Sequence, residues 1–415
     1  MTRHFAIIGS GPSGVYAAER LARIAPDDRI DVIDRLPTPF GLIRYGVAPD
    51  HQSTKAVTRV LTRALTRDNV SFLGNVEIGK DIGLKELRDK YDAVILATGA
   101  PKDRRLGLAG EDLPGVFGSE EFVKWYNNHP DQAGLQVDLE QVEHIVVIGI
   151  GNVALDAARM FAKSPDELAA SDLSPDLAER MARMRLKSIT LLGRRGPEHA
   201  KFTPLELSEM GELRRARPNV KTALIPPARD DEPKTLSILR DFSALQPDDR
   251  KLAVDFRFQT RPTGFEGDRR LTGVRVENAD GDEQIIPAQL AVTCIGYDSV
   301  ACDTLLPSGG VFENVDGKIE EDLYVVGWAK RGPSGTIPTN RPESHAVANR
   351  VAEETVAAGK SGSDGLADLI REQGGRVVDF AGWQAIDSAE IDRATDDRPR
   401  RKFQTVAEML AVLPG

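Results

Sequence analysis

Two stretches of the chain share one order of apolar and polar positions, and the first of them begins at His4. His4–Ile8 is a short apolar run that predicts a buried strand. After Gly9, apolar residues recur at helical spacing over Val15–Ile24, and a second strand is predicted at Ile30–Ile33, followed by Asp34. A strand, a glycine turn, a helix and a strand in this order predict a β-α-β unit with parallel strands.

Each glycine of the Gly-x-Gly-x-x-Gly turn has its own physical role in such a unit. Gly9 allows a tight turn, Gly11 leaves room for a pyrophosphate beside the backbone, and Gly14 lets the helix pack close to the sheet. The helix N-terminus offers N–H groups and a partial positive charge to phosphates, and Asp34 is placed to accept hydrogen bonds from a ribose. The pattern predicts a dinucleotide site; a glycine turn without a ligand is the alternative.

The same pattern returns near the middle of the chain. His144–Ile148 predicts a strand that runs into Gly149 and Gly151, and a helical segment follows. The third glycine of the motif is replaced by Val153 or Ala154, depending on the register. A second nucleotide-binding unit is therefore predicted here.

The strand that follows the second turn ends in basic residues. Ser188–Leu192 leads to Arg194 and Arg195, whereas the matching strand of the first unit leads to Asp34. An acid would repel a 2′-phosphate, but an arginine fork binds one through charge-assisted hydrogen bonds. The arginines predict NADP(H) rather than NAD(H); a solvated turn is the alternative interpretation.

Two such units in one chain indicate two nucleotides, and in one class of flavoproteins the first unit binds FAD and an inserted second unit binds the nicotinamide nucleotide. The predicted fold class is α/β, with two nucleotide-binding Rossmann-like domains. We expect a discontinuous FAD-binding domain at residues 1–105 and 325–415, which includes a C-terminal helical extension. The NADP-binding domain is expected at residues 106–324, and the apolar run Asp322–Trp328 returns the chain to the FAD domain.

The composition narrows the range of partners and compartments. The 415 residues carry a net charge of −10 at pH 7, which disfavours nucleic acid and anionic membranes as partners. No apolar run reaches the roughly 18 residues of a membrane span. Met1 leads into the first strand without the apolar segment of a signal peptide, so we interpret the protein as cytoplasmic. The oligomeric state is left open.

The cysteines argue against several cofactors. The chain contains two, Cys294 and Cys302, and their spacing forms neither a Cys-x-x-Cys pair nor a ligand set for zinc or iron–sulfur clusters. Cys294 lies in an apolar run and is interpreted as a small core residue. We expect no metal, no cluster and no redox disulfide in this chain.

The segment Leu36–His51 carries a highly specific run, Leu-Pro-Thr-Pro-Phe-Gly-Leu-Ile-Arg-Tyr-Gly-Val-Ala-Pro-Asp-His. It resembles the signature of the adrenodoxin reductase-like ferredoxin–NADP reductases. The resemblance covers essentially the whole chain, with further matching motifs at Gly74–Val76, Gly149–Asp156, Gly193–Pro197, Gly327–Ile337 and Gly382–Gln384. It implies an FAD-dependent ferredoxin–NADP(+) reductase, in which a hydride passes from NADPH to flavin N5. Single electrons then pass to a ferredoxin-type iron–sulfur protein.

The resemblance also implies roles at matching positions. Beside the glycine turn, FAD is expected to contact Ser13, Asp34, Leu42, Val76, Trp328, Gly335, Thr336 and Ile337. The backbone N–H groups of the last three residues are expected at the pyrimidine edge of the flavin, where reduction places negative charge. NADP(H) is expected to contact Arg104, Asn152, Val153, Ala154, Leu155, Arg194, Arg195, Glu206 and Gly335.

One further implied pair, His51 and Glu209, is expected beside the flavin as the catalytic pair. Hydride transfer itself requires no protein acid, so positioning and redox tuning are favoured over proton transfer for His51. The alternative for Glu209 is an exposed helix carboxylate. The chain departs from the family pattern at Asp34, at Ile150 in the second turn and at Pro338, which puts cofactor affinity in doubt more than reaction class.

An acidic iron–sulfur carrier needs a basic docking patch despite the overall negative charge. Arg214, Arg215, Arg217 and Arg240 are candidates, with scattered surface arginines as the alternative. The basic run Arg398–Lys402 is interpreted as a solvated segment.

Other functions stay open on the sequence alone. One is an NADPH-dependent flavoprotein reductase of quinones or small oxidants (a diaphorase), and another is a non-enzymatic NADP(H)-sensing flavoprotein. The cysteines argue against a disulfide reductase, and the motif Phe-x-Gly-x-x-x-His of flavin monooxygenases is not found. The sequence does not identify the carrier, the direction of electron flow or the flavin potential.

Overall fold

The computed structural model describes residues 1–395 and 397–414. The strands are β1 (His4–Ile8), β2 (Arg29–Asp34), β3 (Val70–Gly74), β4 (Ala93–Leu96), β5 (Lys102–Asp103), β6 (Val116–Gly118), β7 (His144–Ile148), β8 (Ser188–Leu192), β9 (Ala216–Val220), β10 (Leu252–Arg257), β11 (Thr260–Glu266), β12 (Gly273–Asn278), β13 (Glu283–Pro287), β14 (Leu290–Thr293), β15 (Tyr297–Asp298), β16 (Lys318–Glu320) and β17 (Leu323–Val325).

Helices connect most of these strands. They are α1 (Pro12–Ile24), α2 (Leu42–Tyr45), α3 (Gln52–Lys55), α4 (Thr58–Leu65), α5 (Leu84–Lys90), α6 (Ser119–Tyr126), α7 (Asn152–Ala162), α8 (Pro175–Ala182), α9 (Pro204–Glu209), α10 (Lys234–Ala244), α11 (Trp328–Arg331), α12 (Asn340–Glu354), α13 (Leu366–Glu372), α14 (Phe380–Asp392) and α15 (Val406–Ala411). Short 3-10 helices lie at Pro130–Gln132, Asp166–Leu168, Pro197–His199 and Thr222–Leu224. In the described part of the chain, no helix is both long and apolar enough to cross a bilayer.

The first sheet has the strand order β16-β17-β4-β1-β2-β3. Its strands are parallel except for the edge pair β16–β17, and Phe5 of β1 lies between Ile30 and Ala93 of its neighbours. Helices α1, α4 and α12 cover one face, while α5 and α13 cover the other, because each presents an apolar side to the sheet. We call this part of the molecule the first unit.

The second sheet has the order β6-β14-β7-β8-β10-β9 and is parallel throughout. Helices α6 to α10 cover one face. On the other face lies a small antiparallel sheet, β11-β12-β13, whose Phe265 and Val274 pack near Val146 and Ile148. We call this the second unit. The predicted α/β class with two Rossmann-like units is confirmed, whereas the small antiparallel sheet was not predicted.

A short antiparallel ribbon of β5 and β15 joins the two units, with Tyr297 opposite Asp103. The chain leaves the first unit through β5, close to the expected boundary at residue 105. It returns earlier than residue 324, because β16 at Lys318–Glu320 already belongs to the first sheet. A three-residue edge strand carries too little apolar pattern to be located from sequence.

The C-terminal segment packs onto the first unit, where Trp383 and Met409 belong to its core. The expectation that Arg398–Lys402 is solvated is wrong for Lys402, which is only 3% exposed. Its Nζ lies 3.0 Å from Oδ2 of Asp172, a residue between α7 and α8 of the second unit. The extension therefore contacts both units.

Candidate active site

The first glycine turn has the shape that a pyrophosphate requires. Gly9 has φ +108°, and a Cβ there would lie 2.4 Å from the carbonyl oxygen of Ala97 at the end of β4. A Cβ on Gly14 would lie 2.0 Å from the carbonyl oxygen of Gly9, so only glycine allows this approach of α1 to the turn. Gly11, in contrast, faces open space within 4 Å. The open position lies at the N-terminus of α1, which no side chain caps.

The Asp34 side chain lies beside this turn and also holds its backbone through hydrogen bonds. Its Oδ2 accepts hydrogen bonds from the backbone N–H of Ser10 at 2.8 Å and from the Ser10 hydroxyl at 2.5 Å. Its Oδ1 accepts from the backbone N–H of Leu36 at 3.0 Å. A carboxylate has about four lone-pair sites, so capacity remains for a ribose hydroxyl. The structure therefore assigns Asp34 a second task that the sequence analysis did not foresee.

The second glycine turn repeats the geometry of the first. Gly149 has φ +146°, and a Cβ there would lie 2.3 Å from the carbonyl oxygen of Cys294 at the end of β14. Gly151 faces open space, and no side chain caps the N-terminus of α7. Ala154, fully buried, occupies the third position, which settles the register left open by the sequence. Asn152 accepts a hydrogen bond at Oδ1 from the backbone N–H of Thr203 at 2.8 Å.

The two arginines after β8 fit the expected 2′-phosphate site, since Arg194 and Arg195 are both exposed. Their side chains form no hydrogen bond or ion pair with the described residues. The third candidate, Arg104, lies on the connection between the units, where its Nε donates to Oδ1 of Asp298 at 2.7 Å. Its role at the 2′-phosphate stays a prediction.

The late strand β17 brings a third group of expected contacts to the first glycine turn. A Cβ on Gly327 would lie 2.2 Å from Oγ of Ser13, so the start of α11 lies directly against the start of α1. Trp328 stacks on Tyr297 of the ribbon, with ring centroids 5.9 Å apart and 15° between planes. Gly335, Thr336 and Ile337 follow in an open loop before α12.

Two other expected FAD contacts differ in exposure. Leu42 is 41% exposed at the start of α2, so its side chain is available to a ligand. Val76 is 1% exposed, and its backbone N–H already donates to the carbonyl of Asp34 at 2.9 Å. The side chain and the backbone N–H of Val76 are therefore not available to a nucleotide, and only the rest of its backbone could contact one. Leu155 is likewise fully buried on α7.

The expected pair His51 and Glu209 lies between the two units. His51 follows α2 in the first unit, and its Nε2 is 3.0 Å from Oε2 of Glu209 at the end of α9 in the second. Glu206, one turn earlier on α9, is 3.5 Å from the same nitrogen. The structure thus brings three of the predicted site residues together. The alternative of an exposed, unpartnered carboxylate does not hold for Glu209.

An arginine that the sequence analysis missed forms the centre of this cluster. Arg159 of α7 has no exposed side-chain surface, and its Nε donates to Oδ2 of Asp50 at 2.9 Å. It also lies 2.8 Å from Asp156 and 3.3 Å from both Glu206 and Glu209. Two signals could have located it: a charged pair at i and i+3 on a predicted helix, and Asp50 beside His51 in the family signature.

Charges in this cluster shift the acidities of its members. Burial lowers the pKa of His51, but the hydrogen bond with Glu209 and the charges of Asp156 and Asp50 outweigh it. The pKa therefore lies above its usual 6.5. The hydrogen bond with His51 holds the pKa of Glu209 below its usual value. Burial raises the pKa of Glu206. The two shifts have one cause, the contact between the His51 imidazole and the Glu209 carboxylate.

A metal ion is an alternative occupant of the cluster. His51, Asp156 and Glu206 each offer one ligand atom, and these atoms lie within 4.8 Å of one another. The same carboxylates, however, already face the guanidinium of Arg159, whose charge repels a cation. We therefore assign the cluster to charge pairing.

The candidate docking arginines are only partly available to a partner. Arg215 donates to the carbonyl oxygens of Phe161 and Ala162 at the end of α7. Arg240 pairs with Glu232 at 2.6 Å. Both side chains serve the fold locally. Arg214 is exposed, whereas Arg217 is half-buried.

Two units of this shape, each with an open glycine turn and a shared charged cluster between them, define an oxidoreductase of the two-nucleotide class. The sequence model of the pyridine nucleotide-disulphide oxidoreductases matches residues 3–191. The chain is 34% identical to the mitochondrial NADPH:adrenodoxin oxidoreductase of Arabidopsis thaliana, over 98% of this chain and 95% of that protein. It is 35% identical to the NADPH-ferredoxin reductase FprA of Mycobacterium leprae, over 99% and 98%.

Solved structures agree with these relatives. Mycobacterium tuberculosis FprA in complex with NADPH superposes with a TM-score of 0.93 at 33% identity, covering 99% of each chain. The chain belongs to the adrenodoxin reductase-like ferredoxin–NADP reductase family, as its motifs indicated.

Proposed function

We propose that the protein is an FAD-dependent ferredoxin–NADP(+) reductase that oxidises NADPH and passes electrons to a ferredoxin-type iron–sulfur protein. The main support for this proposal is the position of helix α7 between the second glycine turn and the first unit. The helix begins at the open second glycine turn, and Asp156, one turn later, and Arg159, two turns later, face His51 of the first unit. The helix that faces the nicotinamide nucleotide thus carries the charged cluster shared with the flavin unit.

The residues present fit both nucleotides. A Cβ would clash at Gly9 and Gly14 of the first turn and at Gly149 of the second, while Gly11 and Gly151 leave open the space that a pyrophosphate needs. In this proposal Asp34 holds the ribose of FAD, and Arg194 and Arg195 hold the 2′-phosphate of NADP(H). The FAD-binding domain corresponds to the first unit with the C-terminal extension, and the NADP-binding domain to the second.

The bound cofactors supply the chemistry: a hydride from NADPH reduces the flavin, whose electrons then leave one at a time. The chain contributes position and electrostatics. Backbone N–H groups of Gly335–Ile337 offer donors where negative charge develops. His51, held by Glu209 and Arg159, lies at the boundary of the two units and positions the reacting rings rather than moving an obligatory proton.

An anaerobic titration tests the cofactor part of the proposal. Purified protein should show a flavin absorbance band at about 450 nm. NADPH should bleach this band at far lower concentrations than NADH does. A yellow protein that neither nucleotide reduces contradicts the reductase and leaves the sensing flavoprotein as the function. The acceptor is tested by comparing ferredoxin with a quinone. Fast turnover with quinone and slow turnover with ferredoxin identifies the diaphorase instead.

We also infer a cytoplasmic location. Cys294 and Cys302 are free thiols, which fits a reducing compartment. Fractionation of the native host tests this, because recovery of the protein in an organellar or periplasmic fraction contradicts it.

A further inference from the structure

The loop between α11 and α12 presents three backbone donors that the protein itself does not use. Among the described residues, the N–H groups of Gly335, Thr336 and Ile337 donate to no acceptor, although the neighbouring Ser334 N–H does. Gly335 has φ +82°, and a Cβ there would lie 2.2 Å from Oγ1 of Thr339. Glycine is therefore required for a conformation that turns three successive N–H groups outward.

Two carbonyl groups of the same loop, those of Thr336 and Ile337, accept hydrogen bonds from side chains of the protein. Asn340, the first residue of α12, donates from Nδ2 to the carbonyl oxygens of Thr336 at 3.1 Å and Ile337 at 3.2 Å. The Thr339 hydroxyl donates to the carbonyl of Thr336 at 2.6 Å. Because a peptide unit that turns its carbonyl inward turns the N–H of the next residue outward, the bonds to the Thr336 carbonyl set the direction of the Ile337 N–H. The residue after Ile337 is Pro338, which has no N–H.

The orientation of the Asn340 amide is itself fixed by an arginine. Nη2 of Arg331 donates to Oδ1 of Asn340 at 2.8 Å and to the carbonyl of Ser334 at 2.9 Å. Arg331 also pairs with Glu343 on α12. A guanidinium can only donate, so Oδ1 must face Arg331 and Nδ2 must face the loop. Asn340 is 7% exposed, which removes competition from water.

We propose that Asn340, oriented by Arg331, is a positioning residue that acts through the Thr336 carbonyl to aim the Ile337 N–H at the flavin, and so raises the flavin reduction potential. The proposal rests on the proposed function, since it assumes that FAD occupies the first unit. Donors aimed at the ring stabilise the negative charge of its reduced form more than the neutral oxidised form. Losing their alignment should weaken the reduced state selectively.

Two substitutions that nearly keep the size of the side chain distinguish an effect of donor alignment from an effect of added charge. Asn340→Leu removes the donor and the acceptor without adding charge, whereas Asn340→Asp keeps the acceptor for Arg331 but turns an oxygen toward two carbonyls. Both should shift the two-electron midpoint potential to more negative values. We expect the equilibrium constant for flavin reduction to fall at least tenfold, which is about 30 mV for a two-electron couple. Arg341→Gln is the matched control, because the side chain of Arg341 pairs with Glu19 and forms no hydrogen bond with the loop.

The potential is measured by chemical titration of the FAD-loaded protein, with thermal unfolding confirming that each variant is folded. FAD release, followed by fluorescence, should also be faster in both variants than in Arg341→Gln. A negative shift in Asn340→Asp alone assigns the effect to charge and overturns the proposal, as does an unchanged potential in both variants. If NADPH fails to reduce the unaltered protein, the proposed function is contradicted instead. The chemical titration still tests the role of Asn340 in that case.

Discussion

The guanidinium of Arg159 has no exposed surface, and each of its nitrogens faces a carboxylate. Burying such a charge is unfavourable unless it is paired, and here Asp50 and Asp156 on either side provide the pairing. Burial alone would raise the pKa of Asp50, but the bonds from Arg159 and Lys163 hold it well below its usual range. The first unit contributes Asp50 and the second contributes Arg159, so this pair fixes how the units meet.

A first prediction concerns the neighbouring histidine. Glu209→Gln should lower the pKa of His51, because a neutral amide no longer stabilises the imidazolium. The raised pKa of His51 means that the pair stabilises the fold below pH 6.5 and loses this contribution as pH rises through the folded pKa. The lowered pKa of Glu209 means that the contribution is lost again as pH falls through that value. NMR titration of His51 measures the shift directly.

The control for this experiment is Glu212→Gln, an exposed carboxylate just beyond α9. It should leave the titration of His51 unchanged. If Glu209→Gln and Glu212→Gln behave alike, the hydrogen bond seen at 3.0 Å does not govern the histidine.

A second prediction at this scale concerns nucleotide choice. Replacing Arg194 and Arg195 together by alanine should raise KM for NADPH at least tenfold while changing KM for NADH little. The reason is that only NADPH carries the 2′-phosphate, and a charge-assisted hydrogen bond contributes about 1.5–3 kcal/mol. Steady-state reduction of a dye acceptor measures both constants. Arg261→Ala, an exposed arginine on β11 paired with Glu277, is the control. An equal rise for the two nucleotides refutes the assignment.

Elements with strong local patterns were predictable, and those that depend on distant contacts were not. The strands at His4–Ile8, His144–Ile148 and Ser188–Leu192 match their predicted bounds, because a short, mostly apolar run suits a strand buried on both faces. The antiparallel sheet β11–β13 mixes polar and apolar positions and gives no such signal. Arg159 and Lys402 were missed for a related reason: a charged residue is normally solvated, and only the tertiary structure supplies its partners.

A third prediction compares Gly11 and Gly14 of the first turn. Both are glycines, but their surroundings differ. Gly14→Ala should destabilise the fold by about 1–3 kcal/mol, since its Cβ would overlap the carbonyl oxygen of Gly9. Gly11→Ala should leave the stability of the FAD-free protein nearly unchanged, because its φ of −67° is ordinary and its Cβ meets nothing. It should nevertheless lose FAD on dialysis.

Urea unfolding of the FAD-free proteins and flavin content after dialysis measure the two effects separately. Gly151→Ala is the matched control in the second turn, and it should retain FAD while binding NADPH more weakly. If Gly11→Ala keeps its flavin, the pyrophosphate does not lie against this turn.

At the scale of the whole molecule, three separate parts of the chain meet at one buried carboxylate. Asp172 of the second unit accepts hydrogen bonds from Lys55 of the first unit at 2.8 Å and contacts Lys402 of the C-terminal extension at 3.0 Å. The burial of Asp172 favours its neutral form, but the two lysines outweigh burial and lower its pKa to about 2. Burial lowers the pKa of Lys402 well below its usual value. Two buried amino groups thus share one carboxylate.

This imbalance leads to the last prediction. Asp172→Asn should cost about 3–5 kcal/mol, because it removes the counter-charge that the buried amino groups of Lys55 and Lys402 share. Lys402→Met should cost clearly less, since it leaves Lys55 and Asp172 as a balanced pair and removes a base whose charged form is disfavoured by burial. Since the folded pKa of Asp172 is depressed, its contribution is present at neutral pH and is lost as pH falls toward 2. Urea unfolding at pH 7 and at lower pH measures both variants. If Lys402→Met is as damaging as Asp172→Asn, the extension holds the units together through packing, and the shared carboxylate is not the decisive contact.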